Sequence, residues 1–266
     1  MLNFLNFAQK MGVKVTASLT VLAILGLPAN SQQMQQKSPT PSAVQDQTMP
    51  GDTGGEEEEI AHPFFTHMGI PEGVGVFNLR LLGLVNRVDG ATKGDFGFHF
   101  ETGLTKRIGL HIRNDSFLNR TRSEVMFQFL AIKSKDGMSG FSPIIEFEIP
   151  TRTGGGSRVN TLVGFSSALV NKRVAFNQVI HYNPREDSVD ASAALVFRVG
   201  KQYFPVFEIL TEGMRGERPI VNLLGGLKVR VSKKLILGFA VQVPTTRRKD
   251  FSSQLAFGAD VEWKTK

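Results

Sequence analysis

The chain has 266 residues, no cysteine, 27 glycines and a formal net charge of +7. The missing cysteines exclude a disulfide framework, a thiolate metal site and a cysteine nucleophile. No segment beyond the N-terminus is apolar for about 18 residues, which excludes an ordinary transmembrane helix.

At the N-terminus, Lys10 and Lys14 precede an apolar run from Val15 to Leu27, followed by Ala29-Asn30-Ser31. The run is too short to span a bilayer comfortably, and the small residues after it fit a cleavage site. Residues 1–31 therefore read as a secretory signal peptide. Removing its two lysines lowers the net charge from +7 to +5. That modest excess suits contact with phosphorylated lipid headgroups and gives no ground for a nucleic-acid partner.

Residues 32–59 change character. A Gln-rich start leads into Pro, Ser and Thr, then Gly54-Gly55 and the run Glu56 to Glu59. With almost no apolar side chains, this stretch cannot offset its ordering entropy, and a disordered periplasmic linker is expected.

Residues 60–73 hold the densest group of coordinating side chains. His62, His67 and Met68 follow closely on Glu58 and Glu59. Imidazole and thioether together suit copper, so a copper or other divalent-ion site at the barrel's periplasmic entrance is one reading. The plainer and preferred reading is an acidic tail followed by an apolar anchor, Phe64-Phe65, seated on the rim. A third use would be docking of a periplasmic protein partner. No other cofactor is implied.

From residue 74 to 264 the chain becomes a succession of amphipathic segments, most alternating apolar and polar residues with period two. Gln254 to Trp263 is the clearest: Leu255, Phe257, Ala259, Val261 and Trp263 on one face, Gln254, Ala256, Gly258, Asp260 and Glu262 on the other. Five short Lys-bearing turns recur at 105–107, 134–137, 171–173, 200–202 and 232–234. Six longer connections alternate with them, at 88–94, 114–122, 151–157, 183–190, 211–218 and 245–251. Eleven connections predict twelve strands. Short turns at one end and long loops at the other predict an all-β antiparallel transmembrane barrel with periplasmic turns and both termini on that side.

The inner face decides between that barrel and a soluble sandwich. It would collect Arg80, His99, Glu101, His111, Arg113, Gln128, Glu146, Glu148, Arg198, Glu208, Lys228, Arg230, Asp260 and Glu262. A dry sandwich core cannot hold so many ionisable groups, since each unpaired buried charge costs several kcal/mol. A hydrated lumen can. Pairing strands two and three about Lys106 would set His111 opposite Glu101 and Arg113 opposite His99. This reads first as cross-strand pairing and second as a metal or proton station.

Catalysis finds little footing. Ser166 in Gly164-Phe165-Ser166-Ser167-Ala168 lacks the second glycine of a nucleophile elbow and sits in a strand. Gly154-Gly155-Gly156 precedes neither a Lys-Ser/Thr pair nor a helix, so it is no phosphate loop.

Three stretches, Phe204-Pro205-Val206-Phe207-Glu208, Gly226 to Arg230 and Leu235 to Pro244, resemble the superfamily of bacterial outer-membrane barrels grouped with the transporter of the phenol meta-degradation pathway. The resemblance implies about twelve strands and passage of small solutes. Two features depart from it: the His/Met/Glu leader, and a C-terminus ending Trp263-Lys264-Thr265-Lys266 rather than in an aromatic residue. Taken together, the chain reads as an outer-membrane channel or passive transporter with a narrow charged lumen. Its expected partners are outer-membrane lipid and a small solute or metal ion. Metal handling and a structural sleeve are the alternatives.

Overall fold

The computed structural model describes residues 60–117, 122–135, 137–151 and 158–265. The expected signal peptide and linker, residues 1–59 with Glu58 and Glu59, lie outside them.

Period-two alternation becomes thirteen antiparallel strands: β1 (Val76–Val88), β2 (Ala91–Thr105), β3 (Ile108–Asn114), β4 (Arg122–Phe129), β5 (Ile132–Lys133), β6 (Gly140–Pro150), β7 (Asn160–Val170), β8 (Val174–Asn183), β9 (Ser188–Phe197), β10 (Tyr203–Met214), β11 (Ile220–Ser232), β12 (Leu235–Pro244) and β13 (Ser253–Lys264). Each long strand pairs with its sequence neighbours, β1 pairs with β13, and β4 pairs with β6. These pairings close a barrel of twelve long strands. The two-residue β5 is a hook on β6 within the β4–β6 connection. Closure leaves no unpaired sheet edge, so every wall strand satisfies its backbone groups internally.

Registers follow from the faces. Arg80 lies opposite both Asp260 and His99. Glu101 lies opposite His111, and His99 opposite Arg113. One surface of each strand is buried and the other is not. Leu237, Phe239, Val241 and Val243 of β12 are exposed, while Ala240 and Gln242 between them are buried. Large apolar side chains continue this outer surface on β2, β7, β10, β11 and β13. So extensive an exposed apolar surface is foreign to a water-facing monomer. Near the chain termini, Phe77 stacks on Trp263 with ring centroids 5.6 Å apart, and Phe100 joins them.

The connections differ from expectation at the first hairpin. Residues 88–94 are no long loop. Asp89 and Gly90, both at positive φ (48° and 82°), form a two-residue turn, and Ala91 to Gly94 extend β2 against β1. Asp-Gly is the pair that a type I′ turn selects, because its twist matches the flanking strands. Similarly, β10 runs on to Met214 and β9 begins at Ser188, shortening two further loops.

Candidate functional site

The inner wall is not an open conduit. Residues 60–72 lie inside the barrel, and the chain rejoins the wall where the Val76 amide donates to the Gly73 carbonyl at 3.0 Å. The leader is therefore not a rim anchor at the entrance. Phe64 is fully buried and Phe65 nearly so, in one cluster with Leu82, Val196, Phe204, Val206, Leu224, Ala240 and Ala256. The interior thus carries an apolar patch that receives the two leader aromatics. Of these wall residues the alternation sets Ala256 on the polar, inward face, and an apolar patch inside the barrel was not expected.

Phe64 fits because glycines face it. A Cβ on Gly238 would lie 2.8 Å from Phe64 Cζ, and one on Gly226 would lie 2.8 Å from Cε2. Any side chain at either position would collide with the ring.

Charged groups hold the leader backbone. The Glu208 carboxylate accepts from the amides of Phe64, Phe65 (3.1 Å) and Thr66 (2.7 Å) and from the Thr66 hydroxyl (2.9 Å). Consecutive N–H groups converging on one anion form a nest. Lys228 donates to the Pro63 carbonyl at 3.0 Å and to Asp260 at 2.6 Å, with its ammonium 4.7 Å from the Phe64 ring centroid. Arg80 donates to the Phe64 carbonyl at 3.0 Å and pairs through Nε with Asp260 at 3.3 Å. Arg113 pairs with Glu124 and reaches the Phe65 carbonyl at 3.3 Å. Further along, Gln128 donates to the Met68 carbonyl and Asn177 accepts from the Gly69 amide, both at 3.0 Å. Ser166 donates to the Gly69 carbonyl at 3.3 Å, a structural contact. Buried charges are expensive alone, and here opposite charges and backbone dipoles meet them.

The interior also gathers all five histidines. The His67 ring lies 5.2 Å from that of His111, 6.2 Å from His181 and 6.3 Å from His99, centroid to centroid. His62 is elsewhere in the network, with Nε2 3.1 Å from Glu72 and Nδ1 3.2 Å from Glu101. The tentative set of His62, His67 and Met68 therefore does not converge on one point. His62 groups with Glu72 and Glu101, whereas His67 groups with Glu101 and His111, or with Glu124 and Glu146. Its other suggested members, Glu58 and Glu59, lie outside the described residues. Glu72, Asp115, Glu124 and His181 were missed as interior residues. The last three sit where alternation is readable but next to loops or in the loosely patterned β8.

Among the remaining expected interior residues, Glu146 is buried and lies 3.6 Å from His181. Glu148 accepts from Asn160 at 2.9 Å. Arg198 turns onto the Gly200 carbonyl at the β9–β10 connection, Arg230 lies over the Phe204 ring at 4.9 Å, and Glu262 pairs with Lys264 at 3.4 Å. These last three belong to the end of the barrel that carries the termini.

Beyond the leader, toward the loops, a cavity of about 660 Å³ opens. Its floor includes Phe65 and His67. Among the described residues, eight carboxylates line it (Asp115, Glu124, Glu146, Glu148, Glu186, Asp190, Glu212 and Asp250) against Lys93 and Arg113. A narrow vestibule lined mainly by one sign of charge concentrates ions of the other sign. Fold and interior together describe a barrel with an acidic mouth at one end and its own leader across the middle.

Among solved structures, the chain is similar to a KdgM porin, with a TM-score of 0.52 at 9% identity, covering 71% of this chain and 99% of that one. A NanC porin matches with a TM-score of 0.52 at 8% identity, covering 70% and 100%. A KdgM porin in complex with disordered oligogalacturonate gives 0.50 at 10% identity, covering 72% and 99%. At these identities the likeness concerns the fold. No family model matches the chain, and no curated protein matches it. The likeness to the phenol-pathway barrels therefore rests on the short stretches alone.

Proposed function

We propose that the protein is a bacterial outer-membrane channel for small solutes, held closed by its own leader. The observation that carries this is the closed twelve-stranded barrel with an apolar exterior and an ion-paired interior. In lipid, backbone groups must be satisfied internally, and a closed barrel does so while presenting its apolar face to acyl chains. Porin barrels of the same architecture support passage of small solutes as the activity. They lend no support to metal handling as the barrel's task. An N-terminal signal peptide, cleaved on export, accords with this location.

The acidic vestibule favours cationic and neutral solutes over anions, because an anion approaching eight carboxylates meets an unfavourable potential. Passage requires the leader to leave or shift, since Phe64, Phe65 and their partners span the interior. Liposome swelling tests the reading. Vesicles carrying a chain that lacks residues 60–72 should swell in small neutral sugars and in arginine faster than vesicles carrying the parent. Equal, negligible swelling with both would contradict a channel.

A further inference from the structure

His67 is 2% exposed, and neither ring nitrogen has a hydrogen-bond partner among the described residues. A neutral imidazole buried in this way leaves a donor and an acceptor unmet, and an imidazolium would need a carboxylate that no described contact supplies. One His67 nitrogen lies within 4.8 Å of ligand atoms on both Glu101 and His111, which are themselves within that distance of each other.

The role of the His111 Nε2 follows from its neighbours. Gln128 spends its amide N–H groups on the Met68 carbonyl and the Ser166 hydroxyl, so its oxygen faces the His111 Nε2 at 3.1 Å as an acceptor. His111 therefore donates from Nε2, and in the neutral ring its lone pair sits on Nδ1. That Nδ1 faces Glu101 Oε1 at 3.6 Å, and Oε1 lies 3.8 Å from Arg80. A proton or a metal cation can bridge two acceptors that face each other, and the His67 nitrogen beside them offers a metal a third ligand. A hydrogen bond that fixes the far nitrogen of an imidazole is the arrangement that orients a metal ligand.

We propose that His67, His111 and Glu101 form a site for one divalent first-row transition ion, zinc or copper(II), that fastens the leader to the wall. Two imidazoles and one carboxylate suit these ions better than calcium or magnesium, which prefer all-oxygen sets. A tetrahedral ion would bring the donors to about 3.4 Å apart, so side-chain adjustments of about 1 Å suffice. The acidic vestibule supplies the route, because the cavity reaches His67 and water there can complete the coordination. The alternative set with Glu124 and Glu146 is less suited, since it offers only one imidazole and two carboxylates. His62 lies outside the site, engaged by Glu72 and Glu101.

The test uses the full-length protein, purified without a histidine tag, stripped with chelator and folded in detergent. Titration with Zn²⁺ and Cu²⁺ should show one ion per chain. His67→Gln and His111→Gln should each weaken binding by about tenfold or more. Resistance to unfolding by detergent on an unheated gel establishes that each variant is folded. The copper electron paramagnetic resonance spectrum of the parent should carry coupling to two imidazole nitrogens, and it decides alone should a variant not fold. No binding by the folded parent, equal binding by parent and both variants, or coupling to fewer than two nitrogens would overturn the proposal.

Discussion

At the residue scale, Phe64 and Glu208 carry the closure. Burying a phenylalanine is worth about 2–3 kcal/mol, and Phe64 obtains that only because Gly226 and Gly238 make room. Gly238→Leu should expel the ring and forfeit that gain, so chymotrypsin should cleave at Phe64-Phe65 in the folded variant and not in the parent. Equal protection would mean that the ring is seated by something else. Glu208→Ala should leave the amides of Phe65 and Thr66 buried without an acceptor, at about 1–3 kcal/mol for each group. Glu208→Gln should fall between, because its amide oxygen can still accept. The same cleavage assay ranks parent, Gln and Ala, and any other order would argue against the nest. Alternation in the sequence marks Glu208, Lys228 and Asp260 as inward. It does not show that they hold Pro63 to Thr66, because a period-two pattern gives a face and not a partner more than 140 positions away in the chain.

Strands and turns were the most readable elements, since the physics behind them is local. The inward set of β2 and β3 and the pairing of Glu101 with His111 follow from alternation about the Lys106 turn. The first hairpin was less readable because Asp89 to Gly94 holds only small or polar residues. Polarity there reflects strand ends extending past the apolar zone, whereas the turn itself is only Asp89-Gly90. Two predictions belong at this scale. Phe239, exposed on the outer face, should cost about 2–4 kcal/mol when changed to Arg if it lies near the bilayer midplane. Gln242→Arg, on the inner face, should disturb folding much less, and denaturant titration of both in lipid would expose a wrong face assignment. Epitope tags in 245–251 should be reached by antibody on intact cells. Tags in 171–173 should be reached only after permeabilisation, and the reverse pattern would invert the orientation.

For the whole molecule, the twelve-stranded closure was legible because an even strand count and unequal connections constrain it. The fate of the leader was not. Its His, Met and Phe residues read first as a rim anchor and second as a metal-binding tail, since what they meet is assembled from all twelve long strands at once. The structure makes the leader the fill of the barrel, and closure by it is the central claim. Single-channel recording in planar bilayers tests this most directly. The parent should show little or no current. The chain lacking residues 60–72 should show discrete, cation-selective steps, with current restored toward the closed level by Gly238 and Glu208 left intact and a peptide of residues 60–72 added in excess. Equal conductance by parent and deleted chain, whether open or silent, would contradict a channel closed by its own leader.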